Sequence, residues 1–357
     1  MSRRVLISGG GTGAGNNLIR SLRAADASLS FSAVHTDRFV LQRSAADRRH
    51  LVPPPSHPAY ARVLARIVRV DRIALAIPTS DGDVAAFSRL RRRIPCRTFL
   101  PRPATIAACQ DKYALSHALR AHGLPAPETY PVESLETLDR TFRRLGRRTR
   151  VWCRIRTGSG ARGAVPVTRA AEARRWIASW HAMRGTPPSD FTLSEYLPGR
   201  DFGCQSLWKD GTLILVKTYE RLSYLGMGSQ LTQVSPIATL SKTVVEPGVS
   251  DVCVRAIRTL DRKASGVFSV DLKENARGVP CITDINAGRF SSATAIYDFT
   301  GKHSMAGTYV RLALDEPVEL RDEYDAVEDH YMLRDVDALP VVLPAEEFFD
   351  GIREWRR

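Results

Sequence analysis

No stretch of this 357-residue chain stays apolar for long enough to cross a bilayer. Met1-Ser2-Arg3-Arg4 runs straight into Val5-Leu6-Ile7, a run too brief for a signal-peptide core. The six cysteines, at 96, 109, 153, 204, 253 and 281, include no C-x-x-C pair. Neither a disulfide framework nor a zinc site is therefore expected. The eight histidines form no ligand-spaced set, and no internal repeat or low-complexity tract occurs. Together these absences predict a reduced, cytoplasmic protein with free thiols and no membrane partner.

Lysine is also scarce: seven of the 52 cationic residues are lysine and the other 45 arginine. The net charge of +14 is partly local. Asp139 to Arg175 carries twelve arginines against Asp139 and Glu172. Such a face attracts an anionic small molecule or nucleic acid. The segment lacks aromatics interleaved with its cations and shows no nucleic-acid module, so nucleic acid is the weaker reading. A hydrophobic content of 43% and a charged content of 25% are ordinary for a globular protein, and the length suits two or three domains.

The first hundred residues alternate strands with helices. Val5–Ser8 reads as a buried strand, Gly9–Gly15 as a tight turn and Asn16–Ala24 as a helix. Ser32–His35 and Ile73–Pro78 are further strands, and Val84–Leu90 a further helix. That alternation implies a parallel, doubly wound α/β sheet ending near Pro101-Arg102-Pro103. Gly9-x-Gly11-x-x-Ala14 partly matches a dinucleotide fingerprint, and Asp37 stands roughly where a ribose-binding acid would. The same glycines equally permit a tight turn in a domain that binds no nucleotide.

Farther on, Asp111–His122 is a helix stopped by Gly123. Strand Val151–Ile155 leads into Thr157-Gly158-Ser159-Gly160-Ala161-Arg162-Gly163, a flexible loop whose amides can approach phosphate. Phe191–Leu197 is a strand halted by Pro198-Gly199. Asp201–Trp208 and Leu213–Tyr219 form a hairpin. Just past it, Glu220 and Arg221 are expected only to pair with each other on a strand surface, and Cys204 to serve packing. Val267–Asp271 and Ile282–Asn286 flank a turn containing Asn275 and Gly278. This second hairpin gathers Asp271, Asp284 and Asn286, hard oxygen ligands that suit Mg²⁺. Taken alone, it reads as well as an ordinary hairpin with a wet polar face. Residues beyond Pro317 read as a mixed tail.

In this order the pieces resemble the ATP-grasp superfamily over about residues 1–315. The likeness is greatest to its carbamoyl-phosphate-synthase-like and biotin-carboxylase-like branch. Asp111-Lys112 with Gly123-Leu124-Pro125 matches the family's opening helix, whose cation reaches the ATP phosphates. Arg154-Ile155-Arg156-x-Gly158-Ser159-Gly160-x-Arg162-Gly163 resembles the family's K-P-x-x-G-S-G-x-x-G, with Arg154 where lysine is usual. Glu195-Tyr196-Leu197 matches the hinge that reads adenine, and Asp201 the ribose acid. Asp271, Asp284 and Asn286 match the Glu/Gln…Glu-x-Asn metal set, with Asp at both acidic places. Arg289 follows in Ala287-Gly288-Arg289, one residue longer than the family's Asn-Pro-Arg.

The resemblance implies a Rossmann-like domain over 1–105, then linker helices and a small ATP-grasp lobe over 106–190. A large lobe with the metal site over 191–320 and a tail over 321–357 complete it. It implies an ATP- and Mg²⁺-dependent ligase that forms an acyl phosphate and releases ADP and phosphate. Lys112, Arg154, Gly158, Ser159, Gly160, Arg162, Gly163, Glu195, Tyr196, Leu197 and Asp201 would bind ATP. Asp271, Asp284 and Asn286 would hold metal, with Arg289 and Asn286 catalytic. The expected partners are a small carboxylate and an amine-type acceptor, with homodimerisation left open. No second synthetase half, amidotransferase or biotin carrier is seen, so a stand-alone ligase is expected. Two other readings stand beside it: an NAD-linked oxidoreductase using the glycine loop, and a non-catalytic ATP-binding protein.

Overall fold

A computed structural model describes residues 3–146, 150–158, 160–226, 234–320, 322–336, 339 and 341–347. The first unit runs β1 (Arg4–Ser8), α1 (Gly13–Ala25), β2 (Ser30–His35), α2 (Arg38–Gln42), β3 (Arg48–Leu51), α3 (Tyr60–Asp71), β4 (Ile73–Ile77) and α4 (Asp81–Leu90). Its four strands are parallel, in the order β3-β2-β1-β4. Strands buried on both faces read as near-continuous apolar runs, which is why Val5–Ile7 and Ile73–Ile77 were legible. Thr12 caps α1 by accepting from the Gly15 amide at 3.1 Å.

Two helices, α5 (Pro103–Gln110) and α6 (Lys112–Ala121), lead to a second sheet. Its elements are β5 (Thr129–Pro131), α7 (Leu138–Arg144), β6 (Val151–Ile155), β7 (Val165–Val167), α8 (Ala170–Arg184) and β8 (Phe191–Glu195). This sheet is antiparallel, in the order β5-β8-β6-β7. Phe191–Glu195, assigned from the sequence to the large lobe, is hydrogen-bonded into this smaller sheet. Ile177 is buried in α8, with Trp176 and Trp180 packed beside it against a core of its own.

The remaining chain forms β9 (Asp201–Lys209), β10 (Thr212–Tyr224), β11 (Ala238–Thr243), α9 (Pro247–Leu260), β12 (Gly266–Glu274), β13 (Pro280–Ala287), α10 (Thr294–Asp298), α11 (Met305–Ala313), β14 (His330–Leu333) and β15 (Val341–Pro344). The strands make one antiparallel sheet, β13-β12-β9-β10-β11-β14-β15. The expected tail thus supplies two of its strands. It is fastened by Lys217, whose ammonium lies 3.0 Å from Asp325 with both side chains 3% exposed. One apolar cluster joins this sheet to the parallel unit, uniting Ile7, Leu18 and Leu75 with Leu207, Val267 and Tyr309. Each such side chain, fully buried, contributes about 1.5–3 kcal/mol.

Asp71, 2% exposed at the end of α3, anchors the parallel unit. Burial pushes its carboxyl up, but hydrogen bonds from Ser32, Arg48 and His50 outweigh this and hold it down at about 2. Its stabilisation is therefore complete above pH 4 and lost as pH falls through 2, and amounts to about 2 kcal/mol. Urea unfolding of Asp71→Asn should show a stability deficit near pH 7 that shrinks as the pH falls from 4 to 2. A constant deficit would assign the effect to packing.

Candidate functional site

One face of the large sheet carries the polar residues. Successive residues of a strand point to opposite faces, so the parity of β13 puts Asp284 and Asn286 together. Directly across on β12 stand Asp271, opposite Asp284, and Ser269, opposite Asn286. Gly203 of β9 pairs with Asp271, and Tyr219 of β10 with Gly203. A Cβ on Gly203 would lie 2.3 Å from the Tyr219 ring. The glycine leaves room for that ring, and Arg221 lies over it, 5.2 Å from the centroid.

From there Arg221 spans β9. Nη1 donates to Asp201 Oδ1 at 2.7 Å, and Nη2 bonds Asp271 Oδ1. Asp201 also accepts from the Tyr224 hydroxyl at 2.5 Å. The expected pairing of Glu220 with Arg221 does not occur. Neighbours on a strand face opposite ways, and Glu220 instead accepts two bonds from Arg200, at 3.1 and 2.9 Å. Arg221 is thus a site residue that the sequence reading missed; strand parity was the signal.

The network continues towards the first unit. Asn286 Nδ2 donates to Asp271 Oδ2 at 3.2 Å, and its Oδ1 accepts from Arg289 Nη2. Arg289 Nε donates to Asp81 of α4, a second residue not foreseen. Asp284 is 18% exposed at its side chain and lies 3.6 Å from the Lys112 ammonium. Burial pushes its carboxyl above the usual range; Lys112 and Arg154 oppose this, while Asp271 and Asp81 add to it. Among the described residues no cluster of three or more His, Cys, Asp or Glu is shaped for a metal ion. The expected set has two carboxylates, with the amide of Asn286 as its third member.

The smaller sheet brings its cations over this face. Arg154 Nη2 reaches Thr283 O of β13 at 2.8 Å, and its Nε is buried without a hydrogen-bond partner. Burial lowers Arg154 from the usual guanidinium value, and Asp284 and Asp271 counter that. Lys112 donates to Gly158 O at 2.5 Å. Arg156 grips Asp111 through bonds of 2.6–2.9 Å, which ties the glycine loop to the start of α6.

Gly158 and Gly160 have φ of +97° and +75°, and a Cβ on either would meet nothing within 4 Å. Gly163 is different, since a Cβ there would lie 2.8 Å from Ile155. Arg162 is exposed on the same loop, and Ser159 lies outside the described residues. Glu195-Tyr196-Leu197 connects β8 to β9, hence the smaller sheet to the larger. Glu195 N donates to Glu128 O at 2.8 Å, and Tyr196 lies beside Trp152, their rings 6.3 Å apart. Direct contacts join Lys112 to Gly158 and Asp284, Arg154 to Thr283, and Asp201 through Arg221 to Asp271, Asn286 and Arg289.

No protein-family model matches the sequence. Solved structures do match the fold. The biotin carboxylase domain of Hydrogenobacter thermophilus 2-oxoglutarate carboxylase, solved with MgADP, ADP and bicarbonate, is similar at a TM-score of 0.70 and 14% identity. The match covers 92% of this chain and 73% of that one. L-amino acid ligase from Bacillus licheniformis gives 0.69 at 11% identity, covering 92% and 78%. Carboxyaminoimidazole ribonucleotide synthase from Aspergillus clavatus, complexed with ATP, gives 0.68 at 17% identity, covering 93% and 81%. The chain has the ATP-grasp fold in its biotin-carboxylase-like form.

Proposed function

We propose that this protein is an ATP- and Mg²⁺-dependent ligase joining a small carboxylate to an amine-type nucleophile. The observation that carries the reading is the buried, unpartnered Arg154 Nε on the strand that leads into a glycine loop, where a Cβ on Gly158 or Gly160 would meet nothing within 4 Å. A buried donor without an acceptor costs about 1–3 kcal/mol, which an anionic ligand would relieve. Lys112, Arg154 and the amides of Gly158 and of 160–163 fit the phosphates, the 195–197 connection the adenine, and Asp201 the ribose. Asp271, Asp284 and Asn286 fit Mg²⁺, since two carboxylates set opposite each other and an amide oxygen are hard ligands of the kind that cation takes. When bound, the metal supplies neutralisation of phosphate charge.

The chain's own residues position and neutralise; none need become a covalent nucleophile. The substrate carboxylate attacks the γ-phosphorus, the bond to the ADP oxygen breaks, and an acyl phosphate forms near Arg289. The amine then attacks the acyl carbon, phosphate leaves and the amine gives up a proton. The first unit, about residues 1–105, is Rossmann-like in strand order but structural in its glycine loop. Gly11 is packed so tightly that a Cβ would lie 1.8 Å from Val40 O, and Asp37 caps α2 through the Phe39 and Val40 amides. Both features favour ATP over NAD as ligand.

ATP with Mg²⁺ at a hundredfold excess over its Kd should stabilise the fold by about 2.7 kcal/mol, read as a rise in melting temperature. NADH should give no rise. The opposite pattern would sink the ligase reading. Positional isotope exchange in γ-labelled ATP, run with a panel of carboxylates and no amine, should then reveal reversible acyl phosphate formation. AMP and pyrophosphate as products would instead indicate adenylation.

A further inference from the structure

The sequence places one residue more between Asn286 and Arg289 than the family pattern does, and the structure shows how that residue is absorbed. β13 ends at Ala287, and Gly288 turns the chain with φ +92°. A Cβ on Gly288 would lie 3.2 Å from side-chain atoms of Leu100, Pro101 and Val84, the last on α4. The turn is therefore made against the first unit, in a conformation that glycine adopts without strain. It sends Arg289 back across that unit, where its Nε bonds Asp81. The two side chains are 14% and 22% exposed.

Asp81 is not needed to start α4. Ser80 caps the helix by accepting from the Asp83 amide at 3.2 Å, and Asp83 accepts from Ser80 Oγ at 2.6 Å. The Asp81 carbonyl accepts from Gln110 of α5 at 2.9 Å, which holds this first turn to the connector. A carboxylate on a pinned turn is a firm anchor for a long side chain. With Nε on Asp81 and Nη2 on Asn286, Nη1 is the nitrogen of Arg289 left to meet an anion.

We infer that Asp81 is a positioning residue: it aims Arg289 at the terminal phosphate, so the first unit sets the preference for a triphosphate over a diphosphate. This rests on the nucleotide reading above. Arginine loses rotamer freedom when it binds an oxyanion, and an anchor that has already ordered it reduces that loss. ADP has no γ-phosphate, so its affinity is untouched by where Arg289 points.

The test is calorimetric titration of the full chain with ATP and with ADP, each with Mg²⁺, for the parent, Asp81→Asn, Asp81→Ala, Arg289→Ala and the Asp81→Ala/Arg289→Ala double variant. The parent should prefer ATP. In both Asp81 variants the ratio of ATP to ADP affinity should fall about tenfold, the size of one charge-assisted hydrogen bond, with ADP affinity within about twofold of the parent. Arg289→Ala should lower the ratio at least as far, and the double variant no farther than Arg289→Ala, because both changes act on one interaction. A clamp between the first unit and the large sheet would instead lower the melting temperature and leave the ratio unchanged, which overturns the inference. Equal losses for ATP and ADP overturn it too, as does a parent that binds both alike. A parent that binds neither nucleotide removes the nucleotide reading and this inference together.

Discussion

Asp284→Asn is expected to fold as well as the parent and to lose turnover by on the order of 10³-fold. The two halves of that result have one cause. In the ligand-free protein the Asp284 carboxylate is desolvated and stands opposite a second carboxylate, Asp271. Its carboxyl is pushed above the ordinary value. A raised acid adds stability while protonated, and that stability is lost as pH rises through the folded value. At neutral pH the ionised form is therefore a burden on the free fold, which the amide lifts. Turnover needs the charge. Neutralising a transferring phosphoryl group is worth several kcal/mol, and 1.36 kcal/mol is tenfold in rate. The check pairs urea unfolding at pH 7 with ADP release in the presence of an accepted carboxylate. The Mg²⁺-dependent part of the ATP-induced melting shift should vanish as well. Near-parent turnover in a folded variant would remove Asp284 from the metal set.

The alternation that made Asp284 legible also explains what was overlooked. Apolar residues at 267, 268, 270, 282 and 285 fix a hairpin whose parity sets Asp271 against Asp284. The same rule, applied to β10, forbids Glu220 and Arg221 from pairing, because adjacent strand residues point to opposite faces. Arg221 reaches Asp201 on β9 and Asp271 one strand farther, lying over the Tyr219 ring for which Gly203 makes room. That reach depends on three strands packing in one order, which the local sequence does not carry. Asp81 was hidden differently. It lies inside the Ser80-x-x-Asp83 cap, where acids are ordinary helix-start residues. Its partner Arg289 lies 208 positions away. The strands β14 and β15 are four residues each, too short for alternation to mark them. The parallel unit and the order of motifs were readable because each rests on contiguous residues.

Arg154 gives the other large effect, expected in ligand affinity. A guanidinium here has one nitrogen fixed on Thr283 O at 2.8 Å and another, Nε, buried without a partner. Lysine has no counterpart to the fork and presents a single charge at a different reach. Arg154→Lys should weaken ATP binding about 10- to 100-fold, the worth of a charge-assisted bond of about 1.5–3 kcal/mol. Some activity should remain, because the charge that faces Asp284 and Asp271 is kept. Arg154→Ala removes both the fork and the charge and leaves those two acids with less compensation, so its loss should exceed that of lysine by about tenfold or more. Titration calorimetry with ATP and Mg²⁺ separates the cases, and ADP serves as a control, since Arg154 sits by the glycine loop and should serve both nucleotides. If both variants bind ATP like the parent, Arg154 does not meet the nucleotide, and its role is confined to bridging β6 to β13 through Thr283. In that case Arg154→Ala should lose stability and no affinity, an outcome that urea unfolding of the same samples would show.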